Sequence, residues 1–556
     1  MKKEKKWEVL SSEETRNNNQ VIKVLLNNRG IKSEKDRKEF FNPTLPEKIT
    51  LKSFGIKRLE VEKAVRRIQK ALKSKEKVIV YGDYDADGIC GTAVIWEALS
   101  ALGLNVLPYI PERFSEGYGL NIESIRKLKN EDPALGLIIT VDHGIVAGEK
   151  VNVAKELGVD VIISDHHLPG KIKLKAHAIV HTTQIGGAAV AWVLAREVLK
   201  RINVKSHEVN TGDALELVAI GTIADQIPLT GANRSFVKYG LDKLNETKRP
   251  GLSALIDIAA ITKGTIRNYE VGFLIAPRLN AMGRLEHAME SLRLLCTKNK
   301  SRADELAMKL NRVNLERQKI VEEVVLHAKS SVGDLSLRKV IVLANESYHE
   351  GVIGLAAGKL VEEFYRPAIV LSKKGEISKA SARSITGFNI IEAIRSLEDL
   401  IVEGGGHPMA AGFSIKTTLI EDFSKKINEI AQPLLTEEIL TRKVRIDMPL
   451  GFNQINPELV EEINRFEPTG LGNPTAIFVT RNVEVIEAKL VGRDLRHLKL
   501  KLKEGINIFE GIAFGAGAIH GKLSSGSKID IVYNLEENVW NGTRSLQLKI
   551  KDLKSD

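Results

Sequence analysis

Aspartates follow three successive apolar segments of this sequence, each at the point where a strand is predicted to end. The first segment leads into Gly-Asp-Tyr-Asp-Ala-Asp-Gly over 82–88, the second into Asp142, and the third into Asp165 and two histidines. Because parallel α/β sheets bind ligands beyond the carboxyl ends of their strands, we expect these carboxylates to meet in one crevice. Asp225, which follows an apolar helical segment, is a fourth candidate.

Such a concentration of carboxylates resists ionisation unless cations bind between them. Oxygen ligands with a few imidazoles favour Mg²⁺ or Mn²⁺, whereas zinc favours cysteine and histidine. Two such ions about 3.5–4 Å apart clamp the attacking and leaving oxygens of a phosphoryl transfer. The residues therefore predict a metal site for phosphate chemistry.

Two simpler interpretations compete with this one. A single aspartate after a strand is more often a helix N-cap or a turn residue. The acidic run over 83–87 is similar to a calcium loop, although the glutamate that an EF-hand needs downstream is absent. The repetition of the pattern on successive strands favours the metal site.

The elements around these residues indicate an α/β fold with a parallel sheet. Short apolar runs at 78–80, 137–141, 161–163 and 178–180 alternate with helical segments. Residues 187–330 are mainly helical and end in a long amphipathic helix, and a second α/β pattern runs from 340 to about 435. Strict alternation of leucine and lysine near 500 and 548 predicts a small C-terminal barrel with a basic face.

Composition narrows the class of protein. The 556 residues suggest three to four domains, and 43% apolar residues exclude a disordered chain. Two distant cysteines exclude a cysteine zinc site, and a net charge of +11 suggests a polyanionic partner. No apolar run reaches the roughly 18 residues of a membrane helix, and the start lacks the apolar stretch of a signal peptide, so we expect a cytoplasmic protein with no membrane partner.

The motifs GDYDADG, VDHG, SDHH and GTIAD, in this order, resemble the four motifs of the DHH phosphoesterases. The bacterial RecJ branch, single-strand-specific 5′→3′ DNA exonucleases, is the most similar. Three further stretches, at 111–120, 276–284 and 347–354, support this resemblance, which covers the chain from about residue 20 to its end.

The resemblance implies a role for each residue of the acidic motifs. Asp165 would orient a histidine, and His167 would contact the scissile phosphate and assist proton transfer. The expected ligands of two divalent cations, Mn²⁺ or Mg²⁺, are Asp83 (a ligand or near neighbour), Asp85, Asp87, Asp142, His166 and Asp225.

The resemblance also implies a set of substrate contacts, partly in a second, DHH-associated domain that would grip phosphates. The glycine run at 404–406 would offer backbone N–H groups to an anion just before a helix start, although such a run alone is more often a turn. For the arginines near 278–284, the alternative is a buried salt-bridge cluster. The expected contacts are Arg113, Arg278, Asn280, Arg284, His349, Ser381, Arg383, Ser384, Gly405, Gly406 and His407.

The sequence departs from the pattern of the family in a few places. Tyr81 stands where some relatives carry a histidine that ligates the first metal, and Ala380 replaces a glycine. These departures put the first metal's ligand set in doubt but remove no expected carboxylate.

The predicted organisation has five parts. They are an irregular N-terminal extension (1–50), a DHH catalytic domain with a helical part (51–300), a connecting helix (301–336), a DHH-associated substrate-binding domain (337–435) and an OB-like nucleic-acid-binding barrel (440–556) whose lysine face and Trp540 would bind a strand.

The expected function is a single-stranded-DNA-specific 5′→3′ exonuclease that releases 5′-mononucleotides in recombination and repair, together with a helicase and a single-strand-binding protein. Two alternatives remain open at this point: a phosphodiesterase of short RNA oligonucleotides or cyclic dinucleotides, and a non-catalytic DNA-binding scaffold.

Overall fold

The first sheet is parallel and places the predicted site. The structure, a computed structural model, describes residues 4–170, 174–202, 214–331, 338–540 and 543–555. Strands β2 to β6 are ordered β3-β2-β4-β5-β6, so β2, β4 and β5 are neighbours and end at the same edge. This part of the chain contains α3 (Arg58–Ser74), β2 (Lys77–Gly82), α4 (Ala86–Ala101), β3 (Asn105–Tyr109), α5 (Ile122–Glu131), β4 (Leu135–Val141), α6 (Gly148–Glu156), β5 (Asp160–Asp165) and β6 (Ala178–His181).

The N-terminal segment is more regular than predicted. It contains β1 (Lys6–Val9), α1 (Asn18–Asn28) and α2 (Glu34–Phe41), so the expectation of an irregular extension is wrong. Helix α1 begins at the Asn17 cap, and its apolar face packs into the core of the C-terminal barrel. The apolar face of α1 is short, and the barrel residues that bury it lie more than 400 residues away in sequence. Local sequence patterns therefore did not predict this helix.

A helical region follows the parallel sheet and leads to the connecting helix. Within it, Pro277 cannot donate the usual helical hydrogen bond, and a π-helical turn, Val271–Ile275, lies directly before its helix. The helices are α7 (Gly187–Arg201), α8 (Leu215–Ala224), α9 (Gly231–Asn245), α10 (Pro250–Ile258), α11 (Asn268–Glu270), α12 (Ala276–Leu285), α13 (Met289–Cys296) and α14 (Lys300–Ser331). Residues 332–336, which we assigned to the connecting helix, lie outside the described residues.

The second sheet is mixed, with the order β10-β11-β9-β8-β7, and only its β7–β8 pair is parallel. Helix α15 lies on one face, and α16 and α17 lie on the other. Its elements are β7 (Ile341–Asn345), α15 (Ile353–Phe364), β8 (Ala368–Ser372), β9 (Ile377–Arg383), α16 (Ile390–Arg395), β10 (Ile401–His407), β11 (Ala410–Lys416) and α17 (Ile420–Leu434).

The C-terminal sheet closes on itself because β14 pairs with both β15 and β17, as the alternating sequence predicts for a barrel. Leu498, Leu500 and Leu502 are buried, and Lys499 pairs with Glu510, so the basic face is partly neutralised. The side chain of Trp540 lies outside the described residues. The elements are β12 (Lys443–Ile446), β13 (Met448–Pro449), α18 (Pro457–Asn464), β14 (Phe478–Val491), β15 (His497–Glu504), β16 (Asn507–Ala513), β17 (Lys528–Trp540) and β18 (Thr543–Ser555).

A buried arginine joins these parts. The Arg234 side chain, on α9, is 1% exposed, and its guanidinium lies 3.9 Å from the Phe40 ring centroid. It donates hydrogen bonds to the carbonyl of Phe40 and to the four carbonyls of residues 465–468, at 2.7–3.3 Å. The N-terminal segment, the helical region and the barrel therefore share one buried cation. Among the described residues, no helix combines the length and the apolar character needed to cross a membrane.

Candidate metal centre and its cationic rim

The carboxyl ends of β2, β4 and β5 bring the predicted aspartates together. Asp83 directly follows β2, Asp142 directly follows β4, and Asp165 ends β5. All three are buried. Asp142 has a φ of 67°, a left-handed conformation that aspartate tolerates better than most residues. The convergence predicted from the strand ends is confirmed.

The first turn of α4 contributes two more carboxylates. Asp85 caps the helix by accepting hydrogen bonds from the N–H groups of Asp87 and Gly88 at 3.0 and 3.1 Å. The oxygens of Asp87 accept from the N–H groups of Gly187 and Ala188, at the start of α7, at 2.7 and 3.0 Å. Asp85 therefore combines the N-cap role with a place in the acidic group.

These side chains form three overlapping groups. Within each group, the potential ligand atoms all lie within 4.8 Å of one another. Asp142 and His166 each belong to two of the groups. Asp225, at the C-terminal end of α8, joins the cluster through Oδ2, which lies 3.6 Å from His166 Nε2. The groups are Asp83–Asp85–Asp142, Asp87–His166–Asp225 and Asp142–His166–His167.

Burial and mutual repulsion raise the pKa values of four carboxylates in the cluster, and the nearby His167 and Arg113 offset only part of this effect. Burial, and then the charge of Asp85, raises the pKa of Asp87 to about 7. Burial and the charges of Asp87 and Asp85 raise the pKa of Asp225 to about 8. The pKa values of Asp83 and Asp142 are raised well above the usual range by burial and by neighbouring aspartates. Such a set ionises fully only when positive charge enters it.

The residues fit divalent cations. Asp142 Oδ1 is buried and accepts no hydrogen bond from the described residues, yet His166 Nε2 lies 3.1 Å away. Neighbouring ligands of an octahedral ion with bonds of about 2.1 Å are separated by about 3 Å, so both atoms are spaced as ligands of one ion. Burial, and then the charge of His167, lowers the pKa of His166 to about 4, so its imidazole is neutral, as a metal ligand must be.

Two glycines make room for the cluster. A Cβ atom on Gly187 would lie 2.3 Å from Asp142 Oδ1, and one on Gly221 would lie 2.3 Å from Asp87 Oδ1. Neither glycine was among the predicted site residues, although Gly221 opens the GTIAD motif. The signal for Gly221 was a glycine inside an otherwise apolar helix, which indicates close packing.

Asp165 and His167 form a separate ion pair at the edge of the cluster. His167 Nδ1 lies 2.8 Å from Asp165 Oδ1, and Asp165 also accepts from the backbone N–H groups of Ile145 and His166. Burial alone would lower the pKa of His167, but the hydrogen bond and charge of Asp165 raise it to about 9. The pKa of Asp165 would be raised by burial, but His167 and the backbone donors lower it to about 2. His167 is therefore a cation beside the acidic cluster, and its Nε2 lies 3.5 Å from the Tyr118 hydroxyl.

Arginines form a rim between the acidic cluster and the second sheet, and we call Arg113, Arg278, Arg284, Arg317 and Arg383 the arginine row. Burial and the charges of Arg113 and Arg317 lower the pKa of Arg284 to about 10. Among the described residues, no member of the row forms an ion pair with a carboxylate, so the alternative of a buried salt-bridge cluster is wrong. Nε of Arg317 is buried without a hydrogen-bond partner. Arg317 was not predicted from the sequence, because nothing local distinguishes it from the other basic residues of α14.

The remaining predicted substrate contacts divide into two sets. His349 packs edge-to-face on Phe114 at 5.6 Å, which joins the second sheet's domain to the first, and Ser381 accepts a hydrogen bond from Arg383 at 3.3 Å. The structure does not bring Ser384 to the rim, because its hydroxyl is buried and donates to the Phe388 carbonyl. Asn280 accepts from the Ala86 N–H at 2.7 Å and so supports the start of α4.

The glycine run occupies the exposed strand β10 and continues into a hairpin, so the expected helix start after it is wrong. Gly405 pairs with Gly412, which pairs in turn with Ser381, and the three residues form one row on the sheet. Gly406 and His407 follow in the same strand. The pairing with β11 prevails over the weak strand propensity of glycine.

Tyr81 takes no part in the acidic cluster. Its ring is fully buried and packs on Tyr109 and His143, with centroid distances of 4.9 and 5.4 Å. His143 is also structural, because its Nε2 lies 2.9 Å from the Tyr81 carbonyl oxygen. The first group therefore has three aspartates and no imidazole.

A parallel sheet with an acidic cluster at its strand ends, a second sheet across a cationic rim and a C-terminal barrel define a DHH-type protein. Family models match in the same order: the N-terminal domain of the DHH family over 77–222, the DHHA1 domain over 337–432 and the RecJ OB domain over 446–552.

The chain belongs to the RecJ family, which confirms the resemblance seen in its sequence. It is 32% identical to the single-stranded-DNA-specific exonuclease RecJ of Salmonella typhimurium over 89% of this chain and 90% of that protein. It is 39% identical to the Bacillus subtilis protein of the same name over 88% of this chain, but it spans only 63% of that relative's length. The crystal structure of RecJ from Thermus thermophilus in complex with Mn²⁺ has a TM-score of 0.84 at 30% identity, and the match covers 99% of this chain and 80% of that one.

Proposed function

We propose that this chain is a single-stranded-DNA-specific exonuclease that hydrolyses phosphodiester bonds with two divalent cations, Mn²⁺ or Mg²⁺. The observation that carries the proposal is the acidic cluster beside the arginine row. Carboxylates that are only partly compensated lie beside arginines that form no ion pair with a carboxylate among the described residues, and a metal-bound phosphate strand would neutralise both.

We assign the ligand roles to Asp83, Asp85, Asp87, Asp142, His166 and Asp225. Bound cations would supply Lewis-acid stabilisation of charge on the reacting phosphate. Asp165 holds the His167 ring in place through Nδ1, and His167 carries a proton at Nε2 beside the cluster. The arginine row holds the phosphates of the strand, and the arginine forks fix their orientation.

The barrel favours a long substrate over the alternative substrates. A short RNA oligonucleotide or a cyclic dinucleotide requires only the two α/β domains, whereas the closed barrel offers a further strand-binding surface. The intact acidic cluster supports hydrolysis over a non-catalytic scaffold.

The finer features of the proposal come from the family. We propose digestion from the 5′ end, release of 5′-mononucleotides, and action in recombination and repair in the cytoplasm. A helicase that opens duplex DNA and a single-strand-binding protein would supply the substrate. We also propose a division into five parts: 1–50, 51–300, 301–336, 337–435 and 440–556.

The test uses long single-stranded DNA labelled at one end or the other, with Mn²⁺, with Mg²⁺ or with EDTA, and short RNA oligonucleotides and cyclic dinucleotides are assayed in parallel. We expect immediate release of a labelled mononucleotide from the 5′ label only, and none in EDTA. Faster cleavage of short RNA or cyclic dinucleotides would favour the other phosphodiesterase class. Tight binding without cleavage in either metal would favour the scaffold.

A further inference from the structure

Two exposed aromatic side chains, one on α11 and one on the π-helical turn that follows it, are stacked on each other. The rings of Tyr269 and Phe273 have a centroid separation of 4.9 Å and an interplanar angle of 25°. The two residues are 61% and 67% exposed, although aromatics make up only 5% of this chain. An exposed pair of this kind leaves apolar ring surface in water, and nothing in the fold requires that.

The pair lies between the acidic cluster and the barrel. Gly272 packs toward Ile223, two residues before the proposed ligand Asp225. On the other side, Arg267 forms an ion pair with Glu467 at 2.7 Å, at the start of a loop that leads into the barrel. The Leu229 N–H donates to the carbonyl of Leu471 in that loop, and Leu471 is itself exposed.

The arginine row begins one helical turn beyond the pair. Arg278 donates to the carbonyl of Leu274 at 2.6 Å, next to Phe273. Burial and the charge of Arg278 lower the pKa of Arg317, and Arg317 in turn lies near Arg284, so positive charge continues from the pair to the acidic cluster. This arrangement has the charge and the ring surface that single-stranded nucleic acid requires.

We propose that Tyr269 and Phe273 form a base-stacking platform for single-stranded DNA, which holds the strand at a fixed distance from the metal centre. The arginine row holds phosphates between the platform and the centre. Stacking needs an unpaired base, so the platform selects for single strands independently of the width of the cleft. This inference rests on the proposed function and assigns it a second point of contact.

The experiment measures binding in EDTA, where no strand is hydrolysed, by the anisotropy of a 5′-phosphorylated 20-nucleotide strand labelled at its 3′ end. The double variant Tyr269→Leu/Phe273→Leu keeps apolar bulk but removes both rings, and we expect it to bind roughly tenfold or more weakly than the unaltered protein. Tyr269→Phe keeps the ring and should bind as the unaltered protein does. Leu326→Ala, at a 60% exposed position on α14, is the control for general loss of apolar surface.

A tract of three abasic nucleotides moved along the strand locates the contact. We expect the unaltered protein to lose affinity when the abasic tract occupies the nucleotides that contact the platform. The double variant should lose no affinity at those positions. Unchanged binding by the double variant, or an equal loss on normal and abasic strands, would overturn the platform. Hydrolysis of the same strand in Mn²⁺ tests the proposed function separately, so an abasic window without hydrolysis would refute that function alone.

Discussion

The two α/β sheets treat charge in opposite ways. The parallel sheet gathers buried carboxylates at its strand ends, and their raised pKa values indicate that the nearby cation His167 compensates them only in part. The second sheet carries Arg383 and Ser381 beside exposed glycines. The first region has an excess of negative charge and the second an excess of positive charge. A ligand that combines cations with a polyanion would balance both. This complementarity can be broken from either side.

The largest effect is expected from the acidic side. Asp142→Asn keeps the left-handed backbone conformation, which asparagine also adopts, but removes a shared ligand charge. We expect hydrolysis of single-stranded DNA to fall by more than about 100-fold, since even residues that only orient metal ligands cost about 10–100-fold. Strand binding in EDTA should remain, and Asp257→Asn, an exposed aspartate of α10, is the matched control. Near-normal hydrolysis by Asp142→Asn would refute the ligand assignment.

The space beside the cluster provides the second test. Gly187→Ala would bring a Cβ into contact with Asp142 Oδ1 and displace the carboxylate. A misplacement of about 1 Å costs on the order of 100-fold in rate, and we expect a loss of that size at most. Gly358→Ala, in α15, is the control, because its Cβ would meet no atom within 4 Å. Equal rates for the two variants would show that the carboxylate position is not critical.

The cationic side predicts a smaller effect, on binding. Arg383→Ala should weaken binding of single-stranded DNA in EDTA roughly tenfold, as expected for a charged hydrogen bond to phosphate. The salt dependence of log K should fall by about one unit in slope. Arg383→Lys should restore the slope but not the full affinity, because lysine lacks the fork. An unchanged slope in Arg383→Ala would remove this residue from the strand path.

The pH dependence of the free energy of unfolding gives the smallest expected effect, and it tests the acidic cluster as a whole. Between about pH 5 and 8 the folded, metal-free protein holds more protons than the unfolded chain, because four carboxyls with raised pKa values (Asp83, Asp87, Asp142 and Asp225) outnumber the two imidazoles with lowered pKa values, His143 and His166. The free energy of unfolding in EDTA should therefore fall as the pH rises over this range. Mn²⁺ should reduce or reverse the fall, and urea titrations at pH 5.5 and 8.0 measure both. A free energy that rises with pH in EDTA would contradict the uncompensated cluster.

Local sequence predicted the acidic side better than the cationic side. Asp83, Asp142 and Asp165 are placed by the strands that they directly follow or end, so a short apolar run was enough to locate them. Arg317 and Gly187 act through segments far away in sequence, and Ser384 was directed inward by its own loop, to Phe388. The periodicity of apolar residues predicted the fold class. It did not predict the N-terminal helices, because the core that buries them is formed by the other end of the chain.

The buried guanidinium of Arg234 has a consequence for folding during synthesis. Four of its five acceptor carbonyls belong to residues 465–468, which leave the ribosome more than 200 residues after Arg234 itself. Until then its N–H groups must remain with water, since a charged group is not buried without partners. The contact between α9 and the N-terminal segment therefore gains its full set of hydrogen bonds only after residues 465–468 have been synthesised. A ribosome stalled before residue 465 would hold a chain in which all the acidic motifs are present but Arg234 lacks four of its five acceptor carbonyls.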